Sequence, residues 1–392
     1  MMNDLFNKIK RSIGEKRFFK TIKKKLYPYF IGFILFLTFK KNNIKIFTPK
    51  NNPIDKADLP LAERIFKSYK QMKLDQVKVS SVYKPSSLWQ THIDKDFSFL
   101  KESFEKNDIE KFLFFLQNFG NWENYLGIEN QVLVKKYSKN IFLRKFLSNK
   151  IFGGQLKLWN FFNKQNTNLG VLNMPQYGNQ NGAFINENFV VPGSFFNQIY
   201  SQIIKKYIND DGRNVIADLG GGYGKLAYYC IKDLKQSTYI DLDIPETLIL
   251  ASYYLAKSFP NKKIFLHGEN KFTEETIKNF DLLFLPCWEI DKINKDTVEV
   301  TINRNSLGEM EPDTAYNYID QIHRISKYFF SSNHEYFRNN FDNEKKSLIN
   351  SEYNKKGKFK ELIRYPDFGH LTYENDKIDL DSDIFFYIFK KL

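Results

Sequence analysis

The sequence predicts an α/β fold built on a parallel sheet, preceded by a mainly helical region. Three observations carry this. From about residue 200, short apolar runs alternate with amphipathic helical segments, the texture of βαβ units. Residues 56–165 instead repeat apolar positions at helical spacing with few turn signals, as in Asp108-Ile-Glu-Lys-Phe-Leu-Phe-Phe-Leu-Gln. A glycine-rich turn stands between the first apolar run and the helix after it. The 392 residues, 42% hydrophobic and 17% aromatic, are enough for two or three domains with a sizeable core. Two cysteines, Cys230 and Cys287, exclude a disulfide framework and a four-thiolate metal site, which points to a reducing compartment.

The formal net charge of +14 comes from 59 Lys+Arg against 45 Asp+Glu, yet only nine of those cations are arginines. Arginine is the side chain suited to bidentate phosphate and guanine contacts, so a lysine excess spread along the chain reads first as a solvated surface. No nucleic-acid partner is expected.

The arm at residues 1–50 is the most biased segment: lysines and arginines from Lys8 to Lys25, an apolar run from Leu26 to Phe39, then Lys40 and Lys41. The run is short for a hydrocarbon core of about 30 Å and contains Pro28 and Gly32, so a span is not expected. Two readings stand, a peripheral contact of residues 1–41 with the inner membrane surface and a helix packed on the protein. Asn51-Asn52-Pro53 marks a linker. Residues 56–190 follow as the mainly helical region, where Trp89, Trp122 and Trp159 read as packing residues before sugar platforms. Tyr177 to Gly182 form a Gly/Asn loop, read as a surface turn or as a place where backbone donors approach a ligand.

Strands are expected at Asn214–Leu219, Thr238–Asp243, Lys263–His267, Phe280–Leu285 and Lys327–Asn333, with Ile384–Phe389 as an antiparallel edge strand. After the first comes Asp218-Leu219-Gly220-Gly221-Gly222-Tyr223-Gly224-Lys225. A strand ending in such a turn lets backbone approach a ligand at the sheet's carboxyl edge, beside unpaired N–H groups of the next helix. The acid inside the strand separates this Asp-x-Gly-x-Gly-x-Gly pattern from the dinucleotide fingerprint. It favours a ligand with a cationic end, and S-adenosylmethionine carries an ammonium and a sulfonium. Asp241 and Asp243 end the second strand, 23 and 25 residues after Asp218, where an acid can accept both ribose hydroxyls. Asp243 is preferred, Asp241 is the alternate, and helix capping is the competing role. His267, after the third strand, stands where an adenine amino group would be bound, or is an ordinary loop histidine.

Asn305-Ser306-Leu307-Gly308-Glu309-Met310 precedes a helix opening at Pro312. Glu309 reads as a base or a hydroxyl acceptor, with helix capping as the alternative. His334, after the fifth strand, is the other proton acceptor, its ordinary pKa being near neutral.

At these residues the chain resembles a bacterial family of sugar O-methyltransferases within the class I S-adenosylmethionine-dependent methyltransferases. The resemblance rests on Ala217-Asp-Leu-Gly-Gly-Gly-Tyr-Gly-Lys-Leu-Ala, Asp243-Ile-Pro-Glu-Thr-Leu with Tyr253-Tyr254-Leu255, Asn305-Ser-Leu-Gly-Glu-Met and Phe329-Phe-Ser-Ser-Asn-His-Glu, and covers about 180–335. It implies a Rossmann-like cofactor domain, taken here as 194–392, and cytoplasmic methyl transfer to a sugar hydroxyl in surface polysaccharide or other glycan synthesis. The acceptor would be nucleotide-, lipid- or polymer-linked. Asp218, Gly220, Gly221, Gly222, Gly224, Asp243, Asp241 and His267 are then the cofactor residues. His334 or Glu309 would take the hydroxyl proton while Asn305 orients the hydroxyl. No carboxylate cluster has metal-ligand spacing, so no metal is expected, although Asp241, Asp243 and Glu246 are numerous enough to keep one open. Residues 56–190 are expected to set acceptor choice. A methyltransferase of nucleic acid, protein or a small molecule is the competing reading, though Leu285-Pro286-Cys287-Trp288 replaces the Asn/Asp-Pro-Pro-Tyr pattern of base flippers. A membrane-surface scaffold without catalysis is the last alternative.

Overall fold

The computed structural model describes residues 44–121, 141–163, 168–208, 212–234, 236–342, 344–374 and 377–392. The lysine-rich and apolar stretches of the arm, and Trp122, lie outside the described residues. Among the described residues no helix is long and apolar enough to cross a membrane.

The described residues open with β1 (Ile44–Phe47), then α1 (Leu59–Gln76), α2 (Ser87–Asp96), α3 (Ser98–Glu105), α4 (Ile109–Asn118) and α5 (Ile141–Phe162). β2 (Gly182–Ile185) pairs antiparallel with both β1 and β3 (Asn188–Val190), so the end of the arm is tied back beneath the helices. Next come α6 (Ser194–Lys205), β4 (Asn214–Leu219), α7 (Lys225–Asp233), β5 (Ser237–Asp243) and α8 (Pro245–Ser258). They are followed by β6 (Ile264–Leu266), α9 (Glu274–Asn279), β7 (Leu282–Pro286), β8 (Val298–Arg304), α10 (Pro312–Ile325) and β9 (Ser326–His334). β10 (Phe359–Pro366), β11 (Thr372–Glu374), β12 (Lys377–Asp379) and β13 (Ile384–Lys391) complete the described chain.

The main sheet has eight strands in the order β10-β13-β9-β8-β4-β5-β7-β6. Its six central and right-hand strands, from β9 to β6, run parallel; β13 and β10 are antiparallel. Every residue of β4 is buried, as expected of a parallel strand covered on both faces. Proline at the first position sets the start of both α8 and α10, where its missing N–H costs nothing.

Two expectations are corrected. β13 is antiparallel but not an edge strand, because β10 pairs with its outer side. The expected strands also lack β8, whose Val-Glu-Val-Thr-Ile pattern pairs with β4 at the centre of the sheet.

The buried side chains of α1 and α4 join the same apolar core as the sheet, and polar joints fix the helices to it. Asp58, just before α1, accepts hydrogen bonds from Tyr253 (2.6 Å), Gln117 (3.0 Å) and Lys257. Burial pulls its carboxyl up, but these donors together hold it below the usual range. Asp58→Ala strands the half-buried Lys257 ammonium, and we expect a loss of about 3 kcal/mol in chemical denaturation. The loop 177–182 does similar work: Gly178 O accepts from Gly120 N at 2.7 Å and Gln180 Oε1 from the Tyr223 hydroxyl at 2.6 Å. Trp159 is a packing residue, its Nε1 donating to Gln198 Oε1 at 2.8 Å.

Candidate functional site

β5 lies on one side of β4 and β8 on the other, so the chain changes direction across the sheet at β4. Open α/β sheets bind ligands at the carboxyl ends of the strands beside such a switch. A cavity of about 290 Å³ sits there. Its floor is the turn after β4, with Asp218 and Gly220 to Gly222; Asp243 and Thr247 wall one side, Arg304, Asn305, Ser306 and Glu309 the other.

Asp218 is 3% exposed and accepts the Tyr239 hydroxyl at 2.7 Å. Burial pushes its carboxyl up to about 7, with the Tyr239 hydrogen bond opposing and the Asp243 charge adding. The turn above it is open only because it is glycine. Gly220 has φ +81°, and a Cβ there would stand 2.4 Å from Ser306 Oγ. A Cβ on Gly221 would stand 2.8 Å from Asp241 Oδ1 and 3.2 Å from Asp218 Oδ2. Asp243 accepts Gly222 N at 2.9 Å and Ile244 N at 2.7 Å, which fixes its carboxylate at the cavity wall with lone pairs to spare for ligand hydroxyls.

Glu309 follows β8 in a short 3-10 turn. Its Oε2 accepts from Trp89 Nε1 at 2.8 Å, and its backbone carbonyl accepts from Ser86 Oγ at 2.9 Å. Enclosure by protein pushes this carboxyl up to about 7, opposed by the Trp89 donor. Asn305 lines the same wall with φ +51°, a left-handed conformation that asparagine tolerates better than most residues, and its Oδ1 is buried without a hydrogen-bond partner.

Of the residues singled out from sequence, Asp218, Gly220, Gly221, Gly222, Asp243, Asn305 and Glu309 thus meet at one cavity. Four do not line it. Gly224 is the left-handed residue that starts α7. Asp241 lies sealed beneath Gly221; both its carboxylate oxygens lack a partner, and burial with the charges of Asp243 and Asp218 drives its carboxyl well up. His267 follows β6, the edge strand, with β7 and β5 between it and β4, and its Nε2 meets Asp75 at 3.1 Å. Cys287, after β7, lines the cavity, and burial pushes its thiol up to about 12. His334 ends β9, with β8 between it and β4; its Nδ1 pairs with Asp383 and its ring packs on Phe337.

Sequence reasoning missed Lys225 and Arg304 as site residues. It also missed that Tyr83, Pro85, Ser86 and Trp89, some 220 residues before Glu309, close the cavity from the helical region. Of these the sequence singles out Trp89 alone, as a packing residue before a sugar platform.

The residues present fit an adenosyl ligand with a cationic tail: a backbone cradle that any Cβ would fill, an acid below it, and a second acid at the neighbouring strand end. No family model matches the chain, and no curated protein matches it. Solved structures do, over about half its length. Mitomycin 7-O-methyltransferase MmcR is 11% identical with a TM-score of 0.33, over 50% of this chain and 57% of its own. A SAM-dependent methyltransferase from Aquifex aeolicus is 11% identical with a TM-score of 0.34, over 51% and 94%. The N-methyltransferase NodS from Bradyrhizobium japonicum, solved with S-adenosylhomocysteine, is 10% identical with a TM-score of 0.31, over 50% and 87%.

Proposed function

We propose that this protein is an S-adenosylmethionine-dependent O-methyltransferase that acts on a sugar hydroxyl in surface glycan synthesis. The observation that carries the reading is Glu309, a carboxyl poised near neutrality in the same cavity as the Asp218–Gly222 turn. A donor site alone would not need it. Asp218 serves the cationic end of the cofactor, Asp243 accepts ribose hydroxyls, and the glycines admit the ligand against bare backbone. The bound cofactor supplies an electrophilic methyl group. Glu309 takes the proton of the acceptor hydroxyl, and Asn305 Oδ1 orients that hydroxyl, so the chain's part is positioning and proton removal. Trp89, Tyr83 and Ser86 bring the helical region into contact with the acceptor side, which makes it the determinant of acceptor choice.

Calorimetric titration with S-adenosylmethionine and S-adenosylhomocysteine tests the cofactor half, and a thermal shift by mass action should accompany binding. A screen of nucleotide sugars, lipid-linked sugars and surface polysaccharides with methyl-labelled cofactor tests the acceptor half. Absence of binding to both ligands would sink the reading. Gly221→Ala should weaken S-adenosylhomocysteine at least tenfold in the same titration, because the new methyl group must displace the Asp241 or Asp218 carboxylate.

A further inference from the structure

We propose that Asn303 is a positioning residue that sets the distance between the glycine-rich turn after β4 and the turn that carries Glu309; this rests on the cofactor and proton-acceptor reading above. Asn303 stands one place beyond the Asp218–Ile302 register pair, so it lies beside Leu219 near the carboxyl end of β8, and it is fully buried. Parallel strands covered on both faces are filled mainly by apolar side chains, and a buried amide costs free energy unless its donors and acceptor are met. Here the two turns meet them. Nδ2 donates to Leu219 O at 2.7 Å, and Oδ1 accepts from Leu307 N at 3.1 Å. A carbonyl can only accept and a backbone N–H can only donate, so these partners fix which way the amide points. Oδ1 also accepts from Asn333 Nδ2 at 3.0 Å, and Asn333 leads on through Ser331 to Asn350.

Leu219 O and Gly220 N belong to one peptide group, whose N–H is held by Leu242 O at 2.8 Å. Asn303 holds the other end of that group, and so orients the plane from which Gly220 turns at φ +81°. On its far side, Leu307 opens the short 3-10 turn Leu307–Glu309. Each turn has further anchors of its own. Asp243 takes Gly222 N, while Asn339 Nδ2 donates to Gly308 O at 2.8 Å and both Ser86 and Trp89 hold Glu309. Both turns therefore persist without Asn303, but the bridge between them, one side chain long, is gone. Methyl transfer needs donor carbon, acceptor oxygen and proton acceptor in a fixed row, and a misplacement of about 1 Å is enough to cost rate.

The test reads the separation of sulfonium and Glu309 on the full chain without an acceptor. Trp89 emission, taken as the difference between each protein and its Trp89→Phe counterpart, follows ionisation of Glu309 through the hydrogen bond that joins them. In wild type the midpoint should lie at least about 0.5 pH unit lower with saturating S-adenosylmethionine than with S-adenosylhomocysteine, because the sulfonium favours the nearby carboxylate. Asp243, whose charge also acts on Glu309, is present with both ligands and cancels in the difference. Asn303→Ala should cut that difference below about 0.2 unit while calorimetric affinity for S-adenosylhomocysteine stays within about threefold. Asn303→Thr, a strand former whose hydroxyl is too short to span both turns, gives the same reading if the alanine variant folds poorly. Asn333→Ala cuts the network one residue further out and leaves both ties, so it should keep the wild-type difference. The proposal is overturned if wild type shows one midpoint for both ligands, if Asn303→Ala keeps the full difference, or if Asn333→Ala abolishes it as well. If wild type binds neither ligand, the cofactor reading itself falls.

Discussion

Asp218→Asn is expected to weaken S-adenosylmethionine by about 100-fold or more while making the ligand-free protein more stable at pH 8. The first effect follows from removing one partner of an enclosed charge pair. The second follows from linkage. Asp218 has its folded pKa raised to about 7 from 3.8, so between those values the native state holds a proton that the unfolded chain has lost. Stability therefore falls as pH rises from about 4 to about 7, and above that the charged acid costs on the order of 4 kcal/mol. Asparagine removes that cost and still accepts the Tyr239 hydroxyl. A thermal melt of both proteins without ligand at pH 8 and pH 5 reads the difference, which should shrink at the lower pH. The same titration governs binding: Asp218 must give up its proton to face a cation, so wild-type affinity should rise across pH 6 to 7 and level off above. A flat wild-type profile, or unchanged affinity in the variant, would remove Asp218 from the site.

The elements that could be read without the structure are those whose chemistry is local. The turn from Asp218 to Lys225 is a strand, a bend that needs glycine and a helix start within eight residues, and each signal supports the others. Asp243 was legible for the same reason, since Pro245 marks the helix start beside it. Strand order was not legible. Nothing near Leu282 says that β7 will lie against β5 and push β6 to the edge, yet that order takes His267 away from the cavity and puts Cys287 beside it. Likewise β8 takes the place next to β4, which leaves His334 one strand too far out. The Trp89–Glu309 hydrogen bond spans 220 residues, and no periodicity in either segment encodes it. Asp241 illustrates the limit of pattern reading: it shares a strand face with Asp243, but only the packed turn decides that Gly221 covers one acid and leaves the other open.

Glu309→Gln should lower methyl transfer by about 10²- to 10⁴-fold with cofactor affinity unchanged, the range expected when a proton acceptor is lost and positioning is kept. Glutamine is close in shape and its Oε1 can still receive the Trp89 N–H, so the turn after β8 has no reason to move. The pH dependence separates this role from that of Asp218. At saturating S-adenosylmethionine the cation already holds Asp218 ionised, so kcat reports the second acid alone. Glu309 must be ionised to accept a proton, and its carboxyl lies near 7. For the first acceptor that wild type methylates, kcat should therefore fall about tenfold per pH unit below that value and be level above it. Trp89→Phe gives the matching control. It keeps an aromatic wall but removes the one side-chain donor that favours the charged form, so the midpoint should move to higher pH while the plateau is largely kept. A Glu309→Gln enzyme that retains the acid limb and most of its rate would assign the proton to another group and leave Glu309 as a link between the helical region and the turn after β8.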